Sequence, residues 1–474
     1  MNVHTTDLTI VGAGPVGLMC AHLARHCGLR AIVLDRNSGP LAVGRADALN
    51  ARTLQLLAIA GLFDEVYPLG KPCNTSSIWS EGRFVSRNSS WWESLEGCFH
   101  RHFLMLGQAH LERILDDTCR TGGVDVRRNA EVVDVEVLED GCRTTLADGQ
   151  IVVSPYVIGA DGSRSMVRDR FRIPFEPVRP EITWAVLDGV ISTDFPKVPE
   201  IIVFQNETAD VSWIPREGHL DRFYVRMDRQ DFTLDEVIAR IERAVSPHAL
   251  SFREIVWFSR FSVKEAVAER FCVGGRVFLA GDACHVHSVN GGQGLNTGLG
   301  DAFNLVWKLH QVLRDQASPE LLDTYESERR PVALSVVASS GELVRATKFS
   351  DGGTHGRDYL AILEKRAGNV TGMGVRHGEG GLAGTRVFDF LVRDGEMEQR
   401  LYQVLDYARP TLLCFGALPP DLEPSPAWQI LEFHEGPGQG KWWASDHPYA
   451  GKVVLVRPDG DIAWIRSRDG DVPG

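Results

Sequence analysis

The chain has 474 residues, of which 43% are hydrophobic, and a formal net charge of −13 at pH 7. This length predicts two or three domains with large cores. The acidic balance argues against a protein that binds nucleic acid or an anionic membrane. The nine cysteines are odd in number and form neither a Cys-x-x-Cys pair nor a metal-ligand spacing. We therefore expect reduced thiols and no metal site.

The first residues, MNVHTTD, contain no basic segment, and the apolar run over 8–24 is broken by glycines. A signal peptide needs the basic segment, and a membrane span needs an unbroken apolar run. We therefore expect neither of them, and we expect the protein to lie in the cytoplasm.

The chain opens with a strand pattern over 8–11, a glycine-rich turn and an apolar helix pattern that ends near residue 27. The turn, GAGPVG, contains Gly12, Gly14 and Gly17 at G-x-G-x-x-G spacing. The first two glycines let the backbone turn and approach a pyrophosphate, and the third lets the helix pack on the strand. The motif predicts a dinucleotide-binding site.

A second strand pattern, over 31–34, ends at Asp35, 18 positions after the last glycine of the motif. A carboxylate at this place accepts hydrogen bonds from a ribose with a free 2′-hydroxyl, which favours FAD or NAD over NADP. For the neighbouring Arg36 we expect a phosphate or adenine contact, or simple exposure to solvent.

Further candidates precede the middle of the chain. Arg45 and Arg52 are seven positions apart, so that on one helix both could face an anion; a solvated helix face is the alternative for Arg52. The irregular, aromatic residues 70–105 predict strands and loops over a pocket. A strand that ends at the motif GADGSRSMVR places Asp161 before Arg164 and Arg168, either as a phosphate site or as a tight turn with surface arginines.

Residues 182–261 alternate like antiparallel strands, with an amphipathic helix pattern over 234–245. This block predicts a sheet inserted into the dinucleotide-binding domain, where it would cover the substrate. Trp213, Tyr224 and Arg226 are the candidate pocket residues, and positions in the core or on the surface are the alternative.

Residues 276–307 have the order strand, carboxylate, glycine turn, helix. A carboxylate at the end of a strand can accept hydrogen bonds from a ribitol hydroxyl. The start of a helix offers free N–H groups to the carbonyl edge of a flavin ring. Asp282 and the backbone of 291–296 are therefore the predicted flavin ligands, with an ordinary strand–turn–helix unit as the alternative.

Helix patterns continue to about residue 313 and restart near 321, where Pro331 predicts a boundary or a kink. Dense glycines around 352 and over 368–384 are typical of a linker. Strand patterns beyond it, with a hairpin turn at 458–460, predict a small α/β domain.

Three motifs, GAGPVG, GADGSRSMVR and LAGDACHVHSVNGGQGLNTG, stand in order within residues 5–340. Together they resemble the class A FAD-dependent aromatic monooxygenases, the p-hydroxybenzoate hydroxylase-like family. The tail LVRPDGDIAWI resembles the phenol-hydroxylase and polyketide-hydroxylase branch. The resemblance implies an α/β fold, with a Rossmann-like FAD-binding domain split by an α+β substrate domain. Its implied parts are the FAD-binding domain (1–178 and 268–345), the substrate domain (179–267, with 70–105 contributing to the pocket), a linker (346–384) and a thioredoxin-like domain without Cys-x-x-Cys (385–474).

The resemblance also implies site residues. The implied FAD-binding residues are Gly12, Gly14, Pro15, Val16, Gly17, Asp35, Arg36, Arg45, Gln108, Asp161, Asp282, Gly292, Gly294, Leu295 and Asn296. Arg164 and Arg168 are expected to meet the cosubstrate, NADPH or NADH. The flavin-loop candidates for catalysis are Val289, Asn290 and Gly291. The family commonly has a proline pair at Ser288 and Val289, so this departure leaves the role of the loop in substrate positioning open.

The implied reaction is hydroxylation of a phenolic aromatic or polyketide-like substrate. In it, NAD(P)H reduces FAD, O₂ forms a flavin hydroperoxide, and one oxygen atom passes to the ring. His285 and His287 are expected to be structural, and a homodimer is expected from the family. One alternative is a flavin-dependent halogenase, although Asp210 and Ser212 replace both tryptophans of its Trp-x-Trp-x-Ile-Pro signature. The other is a non-catalytic flavin-binding protein, against which the intact glycines and carboxylates argue.

Overall fold

A computed structural model describes residues 2–93, 95–177, 182–206, 209–227, 229–263, 265–287, 292–346, 365–378, 381–435, 441–443 and 447–468. Its N-terminal part is built on a six-stranded sheet that is parallel except for one edge strand. Short runs such as LTIV and AIVL are buried on both faces, as strands of parallel sheets are. In spatial order the strands are Cys272–Val273, Val277–Leu279, Tyr156–Gly159, Leu8–Val11, Ala31–Leu34 and Asp125–Arg127.

Helices pack against this sheet and against each other. The first begins at Pro15, directly after Gly14, because proline needs no N–H at a helix start. The longer helices are Pro15–His26, Ala51–Ile59, Gln108–Thr121, Gln293–Arg314 and Asp323–Ala346. Short helices and 3₁₀ turns connect them at Phe63–Val66, Tyr67–Leu69, Ser90–Glu93, Met166–Arg170, Gly281–Ala283 and Pro319–Leu322. None of the helices in the described ranges has the length and apolarity needed to cross a membrane.

Three smaller sheets flank this part. A four-stranded sheet contains the predicted meander, with the strands Val3–Thr5, Ile151–Ser154, Gly141–Leu146 and Val132–Leu138. A three-stranded sheet contains Ala48–Leu49, Phe103–Met105 and Lys71–Cys73. A two-stranded sheet pairs Ala266–Val267 with His285–Val286.

The middle block is a seven-stranded sheet with one helix, Leu234–Val245, on one face. The helix starts at a capping box, in which Thr233 and Glu236 satisfy each other's backbone N–H groups. Apolar residues of that sheet face form a separate core with the helix. In spatial order the strands are Leu250–Val263, Ile182–Thr193, Asp221–Met227, Ala209–Pro215, Ile201–Asn206, Ser76–Ser80 and Arg83–Asn88.

The C-terminal part contains a second seven-stranded sheet and two short helices, Ala367–Thr371 and Leu401–Val404. Buried residues of this part, Tyr402 and Tyr407 among them, belong to the same apolar cluster as the six-stranded sheet. The Tyr407 hydroxyl donates to the Phe303 carbonyl at 2.8 Å. In spatial order the strands are Met397–Arg400, Leu391–Asp394, Lys441–Trp443, Gln429–Glu435, Thr411–Phe415, Lys452–Val456 and Ile462–Ser467.

The structure decides between alternatives at one position and corrects another. Pro331 lies inside the helix Asp323–Ala346, which excludes the predicted boundary and leaves the predicted kink. Its neighbours Val332 and Ala333 are buried, so tertiary packing holds a helix that the local sequence disfavours. Arg45 and Arg52 do not share a helix, because Asn50 caps a helix that starts after Arg45, at Ala51.

Candidate functional site

Five parallel strands of the six-stranded sheet end at one edge, and the candidate residues follow the ends of four of them. Gly12 follows the first strand with φ +103°, and a Cβ there would lie 2.3 Å from the Ala160 carbonyl oxygen. A Cβ at Gly17 would lie 1.9 Å from the Gly12 carbonyl oxygen. A Cβ at Gly14 would meet nothing within 4 Å. The turn is therefore closed toward the protein and open at Gly14, where a ligand can approach.

Asp35 follows the neighbouring strand and holds the turn from the side. Its Oδ2 accepts a hydrogen bond from the N–H of Ala13 at 2.6 Å, and its Oδ1 accepts one from Asn37 at 2.7 Å. Arg128, which sequence reasoning missed, lies with Nη1 3.7 Å from Oδ1 of Asp35. Its position just after the adjacent strand, Asp125–Arg127, was the available signal. Arg36 points into solvent.

Asp282 follows the strand Val277–Leu279 in a short 3₁₀ turn. Its side chain is exposed to solvent, yet protein atoms surround it densely enough that desolvation raises the pKa of its carboxyl group. The adjacent Gly281 and Ala283 are buried, so the carboxylate is the part of this turn that reaches solvent. The neighbouring His285 and Arg45 act in the opposite direction on that pKa. Arg45 adopts a left-handed backbone with φ +67° and is exposed.

The helix Gln293–Arg314 packs against the turn that carries Asp282. Gly292 is its N-cap, in the left-handed region at φ +61°, and no side chain caps its first N–H groups. A Cβ at Gly294 would meet nothing within 4 Å, so backbone at this helix start is approachable. The predicted ligands Gly292, Gly294, Leu295 and Asn296 thus lie on one uncapped first turn, whose N–H groups suit a carbonyl or an anion.

Asn296 fastens that turn to the segment 48–53. Its Oδ1 accepts hydrogen bonds from the N–H of Asn50 at 2.9 Å and from Thr53 Oγ1 at 2.7 Å. Its Nδ2 donates to the carbonyls of Ala48 at 2.9 Å and Gly292 at 2.6 Å. The side chain is thus fully used within the protein, which leaves its backbone for a ligand.

Gln108 begins the helix Gln108–Thr121 and supports the segment after Arg45. Its N–H donates to the Ala46 carbonyl at 2.8 Å, and its Oε1 accepts a hydrogen bond from the Ala46 N–H at 3.4 Å. The geometry makes Gln108 a support of the Arg45–Ala46 backbone.

Asp161 follows the strand Tyr156–Gly159. Its Oδ2 accepts a hydrogen bond from the Val167 N–H at 3.1 Å, but its buried Oδ1 has no partner, and desolvation raises the pKa of the carboxyl group. Arg164 is exposed on the same turn. An acceptor buried without a partner is costly, so Oδ1 is a position where a ligand hydroxyl or N–H fits.

Arg168 differs from the prediction that it meets a nucleotide. It is 5% exposed and donates to the carbonyls of Ala283 and Ser163, both at 3.1 Å. Its guanidinium lies over Phe175, 4.1 Å from the ring centroid. Because it is committed to linking the Asp161 turn with the Asp282 turn, the interpretation as a nucleotide ligand is corrected to a structural link.

A buried chain of charged and polar groups lies under the Asp282 turn, and only its histidines were considered from the sequence. His285 Nε2 is 2.6 Å from Asp301 Oδ2, and His287 Nε2 is 3.0 Å from His285 Nδ1. Asp301 also accepts hydrogen bonds from the Gly281 N–H at 3.0 Å and from Arg329 Nε at 2.8 Å. Burial acts to raise the pKa of Asp301, but its interactions with His285 and Arg329 outweigh desolvation and lower that pKa to about 2. This series of buried groups fixes the backbone next to Asp282.

The two faces of the middle sheet separate the three predicted pocket residues. Trp213 is 1% exposed in the core under the helix Leu234–Val245, with Nε1 2.9 Å from Asp221 Oδ1. It is therefore corrected from a pocket residue to a core residue, because alternation defines two faces without telling which one is covered. Tyr224 and Arg226 lie on the other face.

That other face joins the segment 45–47 through buried ion pairs and hydrogen bonds. Arg222 is fully buried, and its Nε and Nη2 donate to Asp188 at 2.6 and 2.7 Å. It also bonds the carbonyl of Arg45 and lies 3.4 Å from Asp47. Tyr224 donates its hydroxyl to Asp47 at 3.2 Å. The sheet is thus locked onto the residues that lead to Asn50.

An apolar cluster lies beside the start of the helix Gln293–Arg314. It draws residues from the segment 48–51, from the region 70–105 and from the short helix after residue 366. Its buried members are Ala48, Ala51, Cys73, Trp92, Leu95, Cys98, Phe103, Met105, Ala367, Val370 and Met373. Sequence reasoning missed the last three, since they fall in the predicted linker. Gln293 Nε2 donates to the Val370 carbonyl at 2.8 Å and ties them to the helix start.

The catalytic candidates Val289, Asn290 and Gly291 lie outside the described residues. The described neighbours are His287 on one side and Gly292 on the other, so the prediction for these three stays a prediction.

Residues 5–340 match the family model described as FAD binding domain. The chain is 30% identical to a 3-hydroxybenzoate 4-monooxygenase from Comamonas testosteroni, with 98% of this chain and 77% of that protein covered. It is 31% identical to a dialkyldecalin synthase from Streptomyces rugosporus, with 97% and 96% covered. The solved structure of an anhydrotetracycline hydroxylase from Streptomyces rimosus matches with a TM-score of 0.78 at 29% identity, with 98% of this chain and 96% of that chain covered. These likenesses confirm the predicted α/β fold class.

The residues present fit FAD. The open glycine turn suits a pyrophosphate, the orphaned Oδ1 of Asp161 suits a donor of the ligand, and the uncapped start of Gln293–Arg314 suits the carbonyl edge of the ring. Asp282 offers an exposed carboxylate on the turn after the strand Val277–Leu279.

Proposed function

This chain belongs to the class A FAD-dependent aromatic monooxygenases, and from that premise we propose that it hydroxylates a phenolic aromatic or polyketide-like substrate at the expense of NAD(P)H and O₂. The chemistry that FAD supplies when bound is acceptance of a hydride and activation of O₂. The task of the chain is to hold the cofactor, orient the substrate and exclude water.

The proposed cofactor contacts follow the strand ends. The backbone around Gly12 and Gly14 would hold the pyrophosphate, Asp35 the adenosine ribose, and Asp282 the ribitol. The first turn of Gln293–Arg314 would donate N–H groups to the ring carbonyls, and Gln108 would keep Arg45 and Ala46 in place for the ring. Arg164, exposed beside Asp161, is the proposed contact for NADPH or NADH.

The proposal for the substrate rests on one observation. Two side chains of the helix Gln293–Arg314 bond to residues of the apolar cluster. Asn296 donates to the Ala48 carbonyl, and Gln293 donates to the Val370 carbonyl. An aromatic substrate held against this cluster would therefore lie beside the flavin ring. Tyr224, hydrogen-bonded to Asp47 on the sheet face that meets this region, is the proposed polar contact for a substrate hydroxyl, and Arg226 shares that face.

The test is anaerobic titration of the FAD-loaded protein with NADPH or NADH, with and without a panel of phenols, followed by admission of O₂ and mass analysis. We expect one phenol to accelerate bleaching of the flavin and to gain one oxygen atom. A yellow protein that neither nucleotide reduces with any phenol would contradict the proposal. It would favour the halogenase or the non-catalytic flavin-binding protein instead.

We also propose the domain division given above, a cytoplasmic location and a homodimer. All nine cysteines are free thiols, which supports a reducing compartment. Sedimentation of the FAD-loaded protein tests the dimer, and a single boundary at the monomer mass would contradict it.

A further inference from the structure

A cavity lies along the helix Gln293–Arg314 and is lined by residues that do not belong to the apolar cluster. Its volume is about 250 Å³, near the lower end for ligand pockets. Its walls come from the helices Ala51–Ile59, Gln293–Arg314 and Asp323–Ala346, from the segment 369–377 and from the turn that carries Asp459 and Asp461. Among the predicted FAD ligands, only Asn296 lines it, through the side chain that is already bonded within the protein.

The cavity wall offers guanidinium donors to an anion, although one of them, Arg329, is already paired through Nε with Asp301. Three guanidinium groups, of Arg52, Arg329 and Arg376, face two carboxylates, of Asp459 and Asp461. Arg52 is committed, with Nη2 2.7 Å from Asp461 Oδ1. Arg329 uses Nε and Nη2, whereas its Nη1 has no partner in the described parts of the chain. Arg376 is exposed, and its guanidinium has no partner in those parts.

His377 adds an acceptor to the same wall. It is 9% exposed, its Nε2 lies 3.3 Å from Asp461 Oδ2, and its buried Nδ1 has no partner. Burial and the neighbouring Arg329 lower the pKa of His377 to about 3, so the ring is neutral at pH 7. With the proton on Nε2, facing the carboxylate, Nδ1 is a lone-pair acceptor that calls for a donor.

We propose that this cavity binds a small hydroxylated carboxylate, with the carboxylate at Arg329 and Arg376 and a hydroxyl donating to Nδ1 of His377. The site is distinct from the substrate pocket, because the short helix Ala367–Thr371 separates the two. Val370 of that helix lies in the apolar cluster, while Asn369 lines the cavity. A ligand bound here is therefore placed to change the shape of the substrate pocket.

The test is calorimetric titration of the full-length, FAD-loaded protein with malate, in the absence of NAD(P)H and phenol. We expect saturable binding with one site per chain. Arg376→Gln removes an exposed cation without disturbing a bonded group, and should weaken the affinity by about tenfold, as loss of a charged hydrogen bond does. Arg83→Gln makes the same change on an exposed residue outside the cavity and should leave the affinity unchanged.

Succinate, which lacks only the hydroxyl of malate, should bind several-fold more weakly. Equal affinity for the two would overturn the assignment of His377. Absence of saturable heat with malate, or an unchanged affinity in Arg376→Gln, would overturn the site itself. Neither result bears on hydroxylation, because the titration involves no turnover.

Discussion

Among the carboxylates at the strand ends, Asp282 and Asp35 differ in their hydrogen bonds to the protein itself. Asp35 accepts two backbone hydrogen bonds that shape the glycine turn. Asp282 makes no hydrogen bond to the described residues, and its surroundings raise its pKa, so its charge costs free energy in the empty protein. A residue with this profile serves a ligand rather than the fold.

We therefore expect Asp282→Ala to lose most of its FAD while the melting temperature of the FAD-free protein stays within a few degrees of wild type or rises. The ratio of flavin to protein absorbance measures the first, and thermal unfolding after FAD removal measures the second. Asp35→Ala is the contrasting variant and should lower both. A fully yellow Asp282→Ala protein would show the ribitol assignment to be wrong.

The two arginines after Asp161 make a similar contrast. Arg164 is exposed, whereas Arg168 is bonded to two carbonyls. We expect Arg164→Ala to slow anaerobic reduction by NAD(P)H by about tenfold, the loss expected for one charged contact, with unchanged FAD content. Stopped-flow spectroscopy measures the rate. Arg168→Ala should lose FAD and stability together; the same joint loss in Arg164→Ala would make Arg164 structural.

At the scale of elements, a buried histidine links two helices of the N-terminal part. His22, on Pro15–His26, is 4% exposed, and its Nε2 is 2.8 Å from the carbonyl of Ala60, at the end of Ala51–Ile59. Burial lowers the pKa of His22 below its usual 6.5. The unfolded chain therefore binds the proton first, and stability that is present above pH 6.5 is lost as the pH falls below it.

We expect wild type to lose stability between pH 7 and pH 5, with His22 contributing at most about 1.4 kcal/mol per pH unit. His22→Asn should be less stable at pH 7 but should show a shallower pH dependence. Urea unfolding at several pH values measures both. His219→Asn, at an exposed histidine, should keep the wild-type slope, and an unchanged slope in His22→Asn would contradict the argument.

Regular strands and long helices are what the sequence predicts best. Short apolar runs before glycine or aspartate predict the strands that precede Gly12, Asp35 and Asp282. Apolar residues at helical spacing predict the long helices. The glycine motif predicts its own geometry because the physical constraint is local. The start of the helix at Ala51 was also readable, since Asn50 is a strong N-cap residue that separates Arg45 from Arg52.

The missed features all depend on residues far away in the chain. The helix Ala367–Thr371 is short and rich in small residues, and it is held by apolar partners such as Cys73 and Phe103, almost three hundred positions earlier. Arg52 is half-buried, and its guanidinium is bonded to Tyr402, to the Asp459 carbonyl and to Asp461, all of them far away in the chain. Trp213 belongs to the core under the helix Leu234–Val245, and the alternation within its own strand does not show which face of the sheet that helix covers. Local pattern carries no information about such contacts.

At the scale of the whole molecule, the C-terminal part is not an independent appendage. Tyr402 and Tyr407 belong to the same buried cluster as the six-stranded sheet. Arg457 is 2.8 Å from Glu328 on the helix Asp323–Ala346, and Arg52 joins Asp461 across the same boundary. Removal of the C-terminal part would leave apolar surface and buried charges of the N-terminal part in water.

We expect a chain that stops at residue 384 to be almost entirely insoluble on expression, because a large exposed apolar patch drives aggregation. Comparison of soluble and pelleted fractions measures this. Tyr407→Phe, which keeps the ring and loses the hydrogen bond to Phe303, should remain soluble and lose about 1 kcal/mol of stability. A soluble, FAD-binding 1–384 chain would contradict the shared core.

The shared core also determines how enzymes of this family can be recombined. A hybrid that joins residues 1–384 of this chain to the C-terminal part of a relative would set a foreign surface against Phe303, Glu328 and Arg52. Each of these residues needs its own partner from the C-terminal part, so the two parts of the hybrid would not pack into one core. A productive exchange has to include the facing side chains together with the transplanted segment. A cut before residue 365 would also transfer Val370 and Met373 of the apolar cluster, to which we assign the proposed substrate contact, whereas a cut after residue 384 would not.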